Sequence, residues 1–246
     1  MKTITPQDLA GIIKNSRKAV AFTGAGISVE SGIPDFRSKG GLWERFDPME
    51  YATISAFRKN PAKVWAMLRE MDGMLVRARP NPAHEALAGL ERQGILLGVI
   101  TQNVDNLHQA AGSVNVVEYH GNAHRFVCTS CRGQWSREAL DFDQAPLYCS
   151  CGGLIKPDVV FFGEAIPEAA MRKANALVLA CDLLLIIGSS MEVAPANMLP
   201  QVAKSTGAAI VESNLEHTRQ TLYLTDYFLP GPAGVVWPEV MRGLPG

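Results

Sequence analysis

Short apolar segments that end near small or polar residues recur along most of the chain. They cover residues 19–23, 95–101, 114–119, 159–162, 183–187 and 208–211, and a glycine, glutamine, histidine or asparagine stands at or shortly after the end of each. Nearly continuous apolar runs of this length are typical of strands that are covered on both faces, as in a parallel sheet. The pattern therefore predicts strands of a parallel sheet.

Helical patterns lie between these segments. Between residues 61 and 79, apolar residues recur at helical spacing: Val64, Met67 or Leu68, Met71 and Leu75. The pair Asn81-Pro82 is typical of a cap and first turn, and it predicts a helix that ends near Gly94. Alternating strands and helices predict an α/β fold with a doubly wound parallel sheet. In such folds ligands bind beyond the carboxyl ends of the strands.

Residues 124–157 interrupt this alternation, because they show little hydrophobic periodicity. Four of the five cysteines fall here, with two residues between Cys128 and Cys131 but only one between Cys149 and Cys151. Four thiolates close a tetrahedral Zn²⁺ shell and leave no open position, so the segment predicts a small inserted module with a structural zinc site. Since the second spacer is short, His124 is an alternative ligand. A second irregular stretch covers residues 32–48.

Composition narrows the possible partners and location. The 246 residues carry a formal net charge of −1 and no run of lysine or arginine, which argues against a nucleic-acid partner. The chain start predicts a helix capped by Thr5 with Pro6 in its first turn, and not a secretion signal. No apolar run approaches the roughly 18 residues that span a bilayer, so no membrane partner is expected. The remaining cysteine, Cys181, is expected to be buried and inert, and the location is predicted to be cytoplasmic.

The first predicted strand ends in a glycine turn, Gly24-Ala25-Gly26. Glycines at such a turn let the backbone approach a pyrophosphate. Taken alone the signal is weak, because the full dinucleotide fingerprint is absent and a tight strand-to-helix turn explains it equally well. The segment 32–37 that follows contains Asp35, Phe36 and Arg37, whose charges and aromatic ring favour a nucleotide site over a plain surface loop.

Two further strand ends carry polar side chains. Gln102, Asn103 and Asp105 follow the second predicted strand and can hydrogen-bond a ribose or an amide, although such residues are also common in helix caps. His120 follows the next strand and can accept a proton from a hydroxyl near neutral pH. A lone histidine is more often a satisfied polar group, but its alignment with the other strand ends favours a general base. His108 is expected to be structural, and no catalytic role is assigned to His84, His124 or His217.

Taken together and in order, these motifs resemble the sirtuin family of NAD⁺-dependent protein deacylases. The matches span roughly residues 20–215: Gly24-Ala25-Gly26-Ile27-Ser28, segment 32–37, Thr101-Gln102-Asn103-Val104-Asp105, His120-Gly121, the four clustered cysteines, segment 156–164, Gly188-Ser189-Ser190 and Asn214. The resemblance implies a large Rossmann-like NAD-binding part at about residues 1–31, 80–123 and 158–246. It also implies a small part at about residues 32–79 and 124–157, with NAD⁺ and acyl-lysine meeting between the two.

The resemblance also implies roles for individual residues. The catalytic residues would be His120, Asn103 and Asp105. The NAD⁺ site would comprise Gly24, Ala25, Gly26, Ser28, Asp35, Phe36, Arg37, Gln102, Asn103, Asp105, Gly188, Ser189, Ser190, Asn214 and Ala233. The substrate site would comprise Val160, Phe161, Phe162 and Gly163, which would pair with the substrate backbone as an added strand, together with Val193, Leu68 and Met71. The structural zinc would be held by Cys128, Cys131, Cys149 and Cys151.

The implied reaction gives nicotinamide, O-acetyl-ADP-ribose and free lysine from NAD⁺ and an acyl-lysine protein or peptide, with His120 removing a proton from a ribose hydroxyl. Family members that remove succinyl or malonyl groups carry a Tyr and an Arg three residues apart, where this chain has Leu68 and Met71. Because a buried carboxylate without a counter-charge is unfavourable, we expect acetyl or longer apolar acyl groups. A further departure is the polar pair Glu212-Ser213 before Asn214, where an aliphatic residue usually stands.

Three alternatives to the deacylase remain open at this level. Protein mono-ADP-ribosylation would use the same residues, so the sequence does not separate it from deacylation. A Rossmann oxidoreductase is disfavoured because no acidic residue for the ribose follows the second strand convincingly. A zinc-dependent module that only senses NAD⁺ is disfavoured by the presence of His120 and Asn103.

Overall fold

The computed structural model describes residues 1–38 and 40–244, apart from the side chain of Gln220. The strands are β1 (Lys2–Thr3), β2 (Ala19–Thr23), β3 (Leu96–Thr101), β4 (Val116–Glu118), β5 (Gly121–Cys128), β6 (Gln134–Ser136), β7 (Ile155–Val159), β8 (Leu183–Ile187), β9 (Ala209–Asn214) and β10 (Tyr227–Pro230). Seven of them form a sheet in the order β1-β10-β9-β8-β2-β3-β4, and every pair in it is parallel. The other three form an antiparallel sheet in the order β6-β5-β7.

Ten α-helices are found in the described residues: α1 (Pro6–Asn15), α2 (Leu42–Arg45), α3 (Pro48–Tyr51), α4 (Ile54–Lys59), α5 (Pro61–Arg77), α6 (Pro82–Arg92), α7 (Leu107–Ala110), α8 (Glu168–Ala180), α9 (Leu199–Ser205) and α10 (Ala233–Arg242). Their starts follow local chemistry. The Thr5 side chain caps α1 reciprocally with Asp8, and Asn81 caps α6 ahead of Pro82. None of these helices is long and apolar enough to cross a membrane.

The seven-stranded sheet is covered on both faces, as its continuous apolar strands require. Ala19 and Ala21 of β2 pack into an apolar cluster with α1, α6 and α10. Val20 and Phe22 face the opposite cluster, which includes residues of α8 and α9. This arrangement confirms the predicted α/β fold, a doubly wound Rossmann-like parallel sheet with a small zinc-type insertion.

The three-stranded sheet has its own apolar cluster. Phe126 of β5 packs with Trp65 and Leu68 of α5 and with Phe57 of α4 in that cluster. The sheet runs from Gly121 to Val159, slightly wider than the predicted limits of 124 and 157. The division of the chain into a large and a small part stays a prediction.

One predicted strand of the parallel sheet is wrong. Residues 159–162 do not join that sheet, because Ile155–Val159 runs back along β5 and pairs with it antiparallel. Within residues 160–162, Phe162 forms an isolated bridge with Thr53. An apolar run shows that a strand is buried, but it does not show which sheet buries it.

Candidate active site

The carboxyl ends of β2, β3, β8 and β9 open into a cavity of about 1470 Å³ that residues of α5 and of the segment 35–38 also line. Nearly all the predicted binding residues line it: Gly24, Ala25, Gly26, Asp35, Phe36, Arg37, Leu68, Met71, Gln102, Asn103, His120, Val160, Phe161, Phe162, Gly163, Gly188, Ser189, Ser190, Val193, Asn214 and Ala233. Ser28 and Asp105 instead lie behind this lining and are buried. Pockets for one small ligand are usually about 300–1000 Å³, so this cavity has room for a dinucleotide and an acylated side chain.

Glycines at the ends of β2 and β8 form one wall of the cavity. The Gly26 amide donates to the Gly188 carbonyl at 2.8 Å. A Cβ atom on Gly26 would lie 2.7 Å from the Gly188 Cα, and one on Gly188 would lie 2.4 Å from the Ile27 nitrogen. Gly188 also has a φ of +60°, which favours glycine. Two strand ends therefore meet with no space for side chains, and their backbone forms the cavity surface.

A hydrogen bond to the backbone fixes which ring nitrogen of His120 carries the proton. Its Nδ1 lies 3.1 Å from the Gln102 carbonyl oxygen, and a carbonyl can only accept, so Nδ1 carries the proton. Nε2 is then the basic nitrogen, and no described residue hydrogen-bonds it. Burial lowers the pKa of His120, against a smaller opposing effect of the bond to Gln102. The ring is therefore neutral near pH 7 and can accept a proton.

Behind the cavity surface, a polar network holds Asn103. The Asn103 side-chain amide donates to the Gly24 carbonyl and to the Ser28 hydroxyl, both at 3.1 Å. Ser28 donates in turn to the Asp105 carboxylate at 2.6 Å, and that carboxylate also accepts the Leu107 amide at 3.0 Å. The predicted contact of Ser28 and Asp105 with NAD⁺ stays a prediction, whereas their contact with Asn103 is part of the structure.

Two buried histidines, His84 and His108, extend this network, and His84 had not been predicted to belong to it. The His84 Nε2 lies 3.5 Å from the Ser28 hydroxyl, and its ring centroid is 4.9 Å from that of His108. Burial lowers the pKa of His84 to about 4, against a smaller opposing effect of Asp105. Burial also lowers the pKa of His108 well below its usual value. The one available signal for His84 was its place three residues after Asn81, whose backbone amide it accepts at 3.3 Å.

The segment after the glycine turn covers another side of the cavity. The Asp35 carboxylate accepts the backbone amides of Arg37 and Ser38 at 3.2 and 2.9 Å, which shapes the loop. Arg37 forms an ion pair with Glu192 at 2.7 Å. The Phe36 and Trp43 rings are in contact in a tilted arrangement, with centroids 4.9 Å apart. Asp35 therefore organises a loop that presents an aromatic ring and an ion pair to the cavity.

The far end of the cavity lies at the carboxyl end of β9. The Asn214 side-chain amide donates to the Ser189 carbonyl at 3.2 Å, and the Ser189 hydroxyl donates to the Gln102 side chain at 2.7 Å. These bonds join the ends of β9, β8 and β3. The cavity lining thus forms one connected polar surface from Gln102 to Asn214.

A buried carboxylate beside Asn214 was not assigned a role from the sequence. Glu212 is fully buried, accepts the Thr218 amide and the Thr218 and Thr221 hydroxyls, and lies 3.2 Å from the His217 Nε2. His217 also lines the cavity. Glu212 thus anchors the segment after β9. A polar residue stands here in place of the usual aliphatic one, and its hydrogen bonds hold that segment.

The side of the cavity predicted to bind the substrate combines an apolar wall with free backbone groups. Leu68 and Met71 line it from α5 and pack in the same apolar cluster as Phe161. The Phe162 amide and carbonyl are already bonded to Ala52 and Ile54 at 2.9 and 3.1 Å. Within the described chain, the backbone groups of Gly163 have no such partner. Of the predicted pairing segment, Gly163 is therefore the residue with both backbone groups available.

The four clustered cysteines come together as predicted. Their sulfur atoms all lie within 4.8 Å of one another, with Cys128 and Cys151 at 3.5 Å and Cys131 and Cys149 at 3.6 Å. A tetrahedral shell with Zn–S bonds of about 2.3 Å separates sulfurs by about 3.8 Å, so the donor set fits zinc. The one-residue spacer is therefore compatible with the site, and His124 is not needed as a substitute ligand.

Comparison with known proteins agrees with this geometry. The model of the Sir2 family matches residues 24–195. The chain belongs to the Sir2 family. NAD-dependent protein deacylase 2 of Pyrobaculum aerophilum is 46% identical over 235 residues, which cover 96% of this chain and 94% of that protein. The NAD-dependent protein deacylase of Pyrococcus furiosus is 45% identical over 241 residues, 96% of each chain.

Solved Sir2 structures share the fold of this Sir2-family chain. A mutant Sir2 homologue in complex with ADP-ribose has a TM-score of 0.92 and 42% identity, over 96% of this chain and 95% of that one. A Sir2 homologue in complex with NAD has a TM-score of 0.90 and 41% identity, over 98% and 95%. A Sir2 mutant with a deacetylated peptide and 3′-O-acetyl-ADP-ribose has a TM-score of 0.92 and 33% identity, over 98% and 100%.

Proposed function

We propose that this Sir2-family chain is an NAD⁺-dependent protein lysine deacylase with His120 as its general base. The observation that carries the proposal is the fixed protonation of His120, whose Nδ1 donates to Gln102 and leaves Nε2 free to accept a proton. The same cavity has a glycine wall that a dinucleotide can approach and an apolar wall on the small part. Acyl transfer to a ribose needs these three features together.

NAD⁺ supplies the ADP-ribosyl group that accepts the acyl group. The backbone at Gly24, Gly26 and Gly188 is proposed to approach its phosphates, as the absence of space for side chains there supports. The loop around Phe36 and Arg37 covers this ligand. At the far end, the proposed partners of the adenosine half are Ser189, Ser190, Asn214 and Ala233.

The proton step is assigned to His120. Its Nε2 accepts the proton of a ribose hydroxyl, and the Gln102 carbonyl stabilises the charged ring through Nδ1. Asn103 orients the reacting ribose or a water molecule, and its own side chain is held by Gly24 and Ser28. Asp105 acts through this network, as its bond to Ser28 supports.

The acyl-lysine is proposed to enter along residues 160–163 and Val193. Gly163 offers its backbone amide and carbonyl for an added strand, and this mode of recognition is independent of the side chains of the substrate. The acyl group meets Leu68 and Met71. Because no described residue of α5 brings a cationic side chain to the cavity, an acyl carboxylate would lack a counter-charge there.

The decisive experiment is incubation with NAD⁺ and an acetyl-lysine peptide, followed by mass spectrometry. We expect O-acetyl-ADP-ribose and nicotinamide from the wild type, and a loss of about 100- to 10,000-fold in rate for His120→Ala, the range for a lost general base. His124→Ala is the matched control and should keep its activity. Transfer of ADP-ribose to protein without deacylation would show that the chain is a mono-ADP-ribosyltransferase instead.

A second experiment concerns the acyl group. Acetyl, longer fatty-acyl and succinyl forms of one lysine peptide are compared by kcat/KM. We expect succinyl to be the poorest substrate. The double variant Leu68→Tyr with Met71→Arg should raise succinyl turnover relative to acetyl by about tenfold, since one well-placed charge pair contributes roughly 1–2 kcal/mol. Faster turnover of succinyl than acetyl by the wild type would contradict the apolar preference.

Two coarser features belong to the same proposal. The large part, at about residues 1–31, 80–123 and 158–246, is proposed to bind NAD⁺, and the small part to carry the zinc. We also propose a cytoplasmic location, with neither nucleic acid nor membrane as a direct partner. The formal net charge of −1 argues against a nucleic-acid partner. The clustering of four cysteines that form no disulfide is typical of metal binding in a reducing compartment, which supports the location. Fractionation of cells that express the tagged chain would test the location.

A further inference from the structure

A second cleft of about 560 Å³ adjoins the main cavity. It is lined by residues of α4, β4 and α8 and by the zinc-bearing sheet. The two spaces share one wall, which consists of Val159, Val160, Gly163, Glu164 and Ala165. A peptide that pairs with Gly163 would therefore lie against the partition between them. None of the roles assigned above uses this second cleft.

The charges in the second cleft differ in sign from those in the main cavity. Its lining contains five cationic side chains and three carboxylates: Arg58, Arg125, Arg132, Lys156 and Lys173 against Glu118, Asp158 and Glu164. The main cavity has two arginines and five carboxylates: Arg37 and Arg219 against Glu30, Asp35, Glu164, Glu192 and Glu216. An acidic group near the partition is therefore attracted to the second cleft and repelled by the first.

The carboxylates of the second cleft are already neutralised from within. Arg125 pairs with Glu118 at 2.6 Å and with Asp158 at 3.5 Å. Lys156 is buried and pairs with Glu164 at 3.0 Å. These pairs use two of the five cations and all three carboxylates. The excess positive charge of the cleft therefore comes from the remaining cations.

Those remaining cations are Arg58, Arg132 and Lys173, and among residues 1–38 and 40–244 none of them has an ion-pair partner. They come from three separate elements, namely α4, the turn after Cys131 and α8, and all three are exposed. Cations carried on three separate elements can each contact a different acidic group. They suit several carboxylates carried at intervals along one extended chain.

We propose that this cleft binds acidic side chains that flank the acyl-lysine of the substrate protein. The chain then selects acyl-lysines in acidic segments, with the backbone held at Gly163 and the neighbouring Asp or Glu side chains placed towards Arg58, Arg132 and Lys173. This inference rests on the proposed deacylase function and adds to it the chemical class of the substrate sequence. The recognition is electrostatic, so it weakens as salt is added.

The test uses two acetyl-lysine peptides that differ only by Glu or Gln at the flanking positions. For the wild type we expect kcat/KM to be about three- to tenfold higher for the Glu peptide, the range for a few exposed ion pairs. The ratio should fall towards one at about 0.5 M salt. This salt dependence needs no variant, and it supports the proposal even if a variant folds poorly.

Variants then locate the effect. The triple change Arg58→Gln, Arg132→Gln and Lys173→Gln should bring the ratio to about one and leave turnover of the Gln peptide unchanged. The matched control is Lys14→Gln, Arg17→Gln and Arg92→Gln, which removes the same charge from exposed positions outside both clefts and should keep the wild-type ratio. A ratio of one in the wild type, with both peptides turned over, overturns the inference and leaves the deacylase function standing. Turnover of neither peptide overturns the deacylase function as well.

Discussion

The seven-stranded sheet and the three-stranded sheet face the same cavity, but different interactions stabilise them. In the large sheet, β2 and β8 pair along five residues each, and all ten of those residues are buried. Apolar clusters cover both faces. At the ends of β2 and β8 the cavity wall consists of backbone atoms, which the contact between Gly26 and Gly188 holds in place.

The three-stranded sheet has much less apolar cover. Its strand β6 has three residues, none of them fully buried, and its cluster depends on aromatic contacts such as Trp65 with Phe126 at 6.2 Å. A segment of about 40 residues seldom folds on its own core and usually needs a metal or disulfides. The four clustered cysteines can provide such a metal site. We therefore infer that the proposed base His120 and the proposed cofactor wall at Gly26 and Gly188 belong to the better-packed sheet. The apolar wall of Leu68 and Met71 that is proposed for the acyl group, here called the acyl wall, then depends on the metal.

Removal of zinc tests this comparison with the largest expected effect. Chelation, or Cys128→Ser, should reduce deacylation to below about 1% of the wild type, because a structural zinc site contributes on the order of 10 kcal/mol to the folding of its module. Binding of ADP-ribose should weaken much less, since the glycine wall lies on the other sheet. Zinc content, calorimetric titration with ADP-ribose and peptide deacylation are measured together.

Cys181→Ser is the matched control for the zinc experiment, because Cys181 is a buried cysteine outside the cluster. It should keep its zinc and most of its activity. If Cys128→Ser retained wild-type deacylation after losing its zinc, the metal would not support the acyl wall.

The substitution Gly188→Ala tests the glycine wall of the cavity, which belongs to the large sheet. Its Cβ would lie 2.4 Å from the Ile27 nitrogen and 2.6 Å from the Gly26 carbonyl carbon, both of them backbone atoms that cannot move aside cheaply. We expect a loss of about 3 kcal/mol or more in the free energy of unfolding and at least about tenfold weaker ADP-ribose binding, with zinc content unchanged.

Gly207→Ala separates this clash from backbone strain. Gly207 has a φ of +88°, and a Cβ atom added there would have no neighbour within 4 Å. Only the left-handed conformation is then penalised, by about 1–2 kcal/mol. ADP-ribose binding should not change in this control. Equal effects of the two substitutions would mean that contact between the strand ends does not shape the cofactor wall.

Much of this architecture could be predicted from local pattern. The apolar runs at β2 and β8 match the strands residue for residue, because a strand buried on both faces has no polar position to blur its ends. The two short strands at the β1 end of the large sheet were harder to predict. β10 is only partly buried and ends in Pro230, and β1 has two exposed residues, so neither shows a clear period.

The site could be predicted as a set of residues but not as an arrangement. Strand ends brought Asn103 and His120 to one edge, as parallel topology requires. The direction of each side chain depends on packing, so the sequence did not reveal that Ser28 and Asp105 lie behind Asn103. Nor did it reveal the contact of His84 with Ser28, since the two are 56 positions apart.

The smallest expected difference between the two sheets is in their sensitivity to acid. The buried histidines with lowered pKa values pack beside the large sheet, so acid should destabilise that sheet. Burial lowers the pKa of His84 to about 4 and that of His108 well below 6.5. The folded chain then binds fewer protons than the unfolded chain, so the stabilisation is present above pH 6.5 and is lost as the pH falls from 6.5 towards the folded pKa values.

From pH 7 to pH 6 we expect these two histidines to reduce the free energy of unfolding by roughly 1–2 kcal/mol. Denaturant unfolding at both values measures it. His84→Gln should reduce this pH dependence by about half. An unaltered pH dependence in His84→Gln would assign the acid sensitivity to other groups.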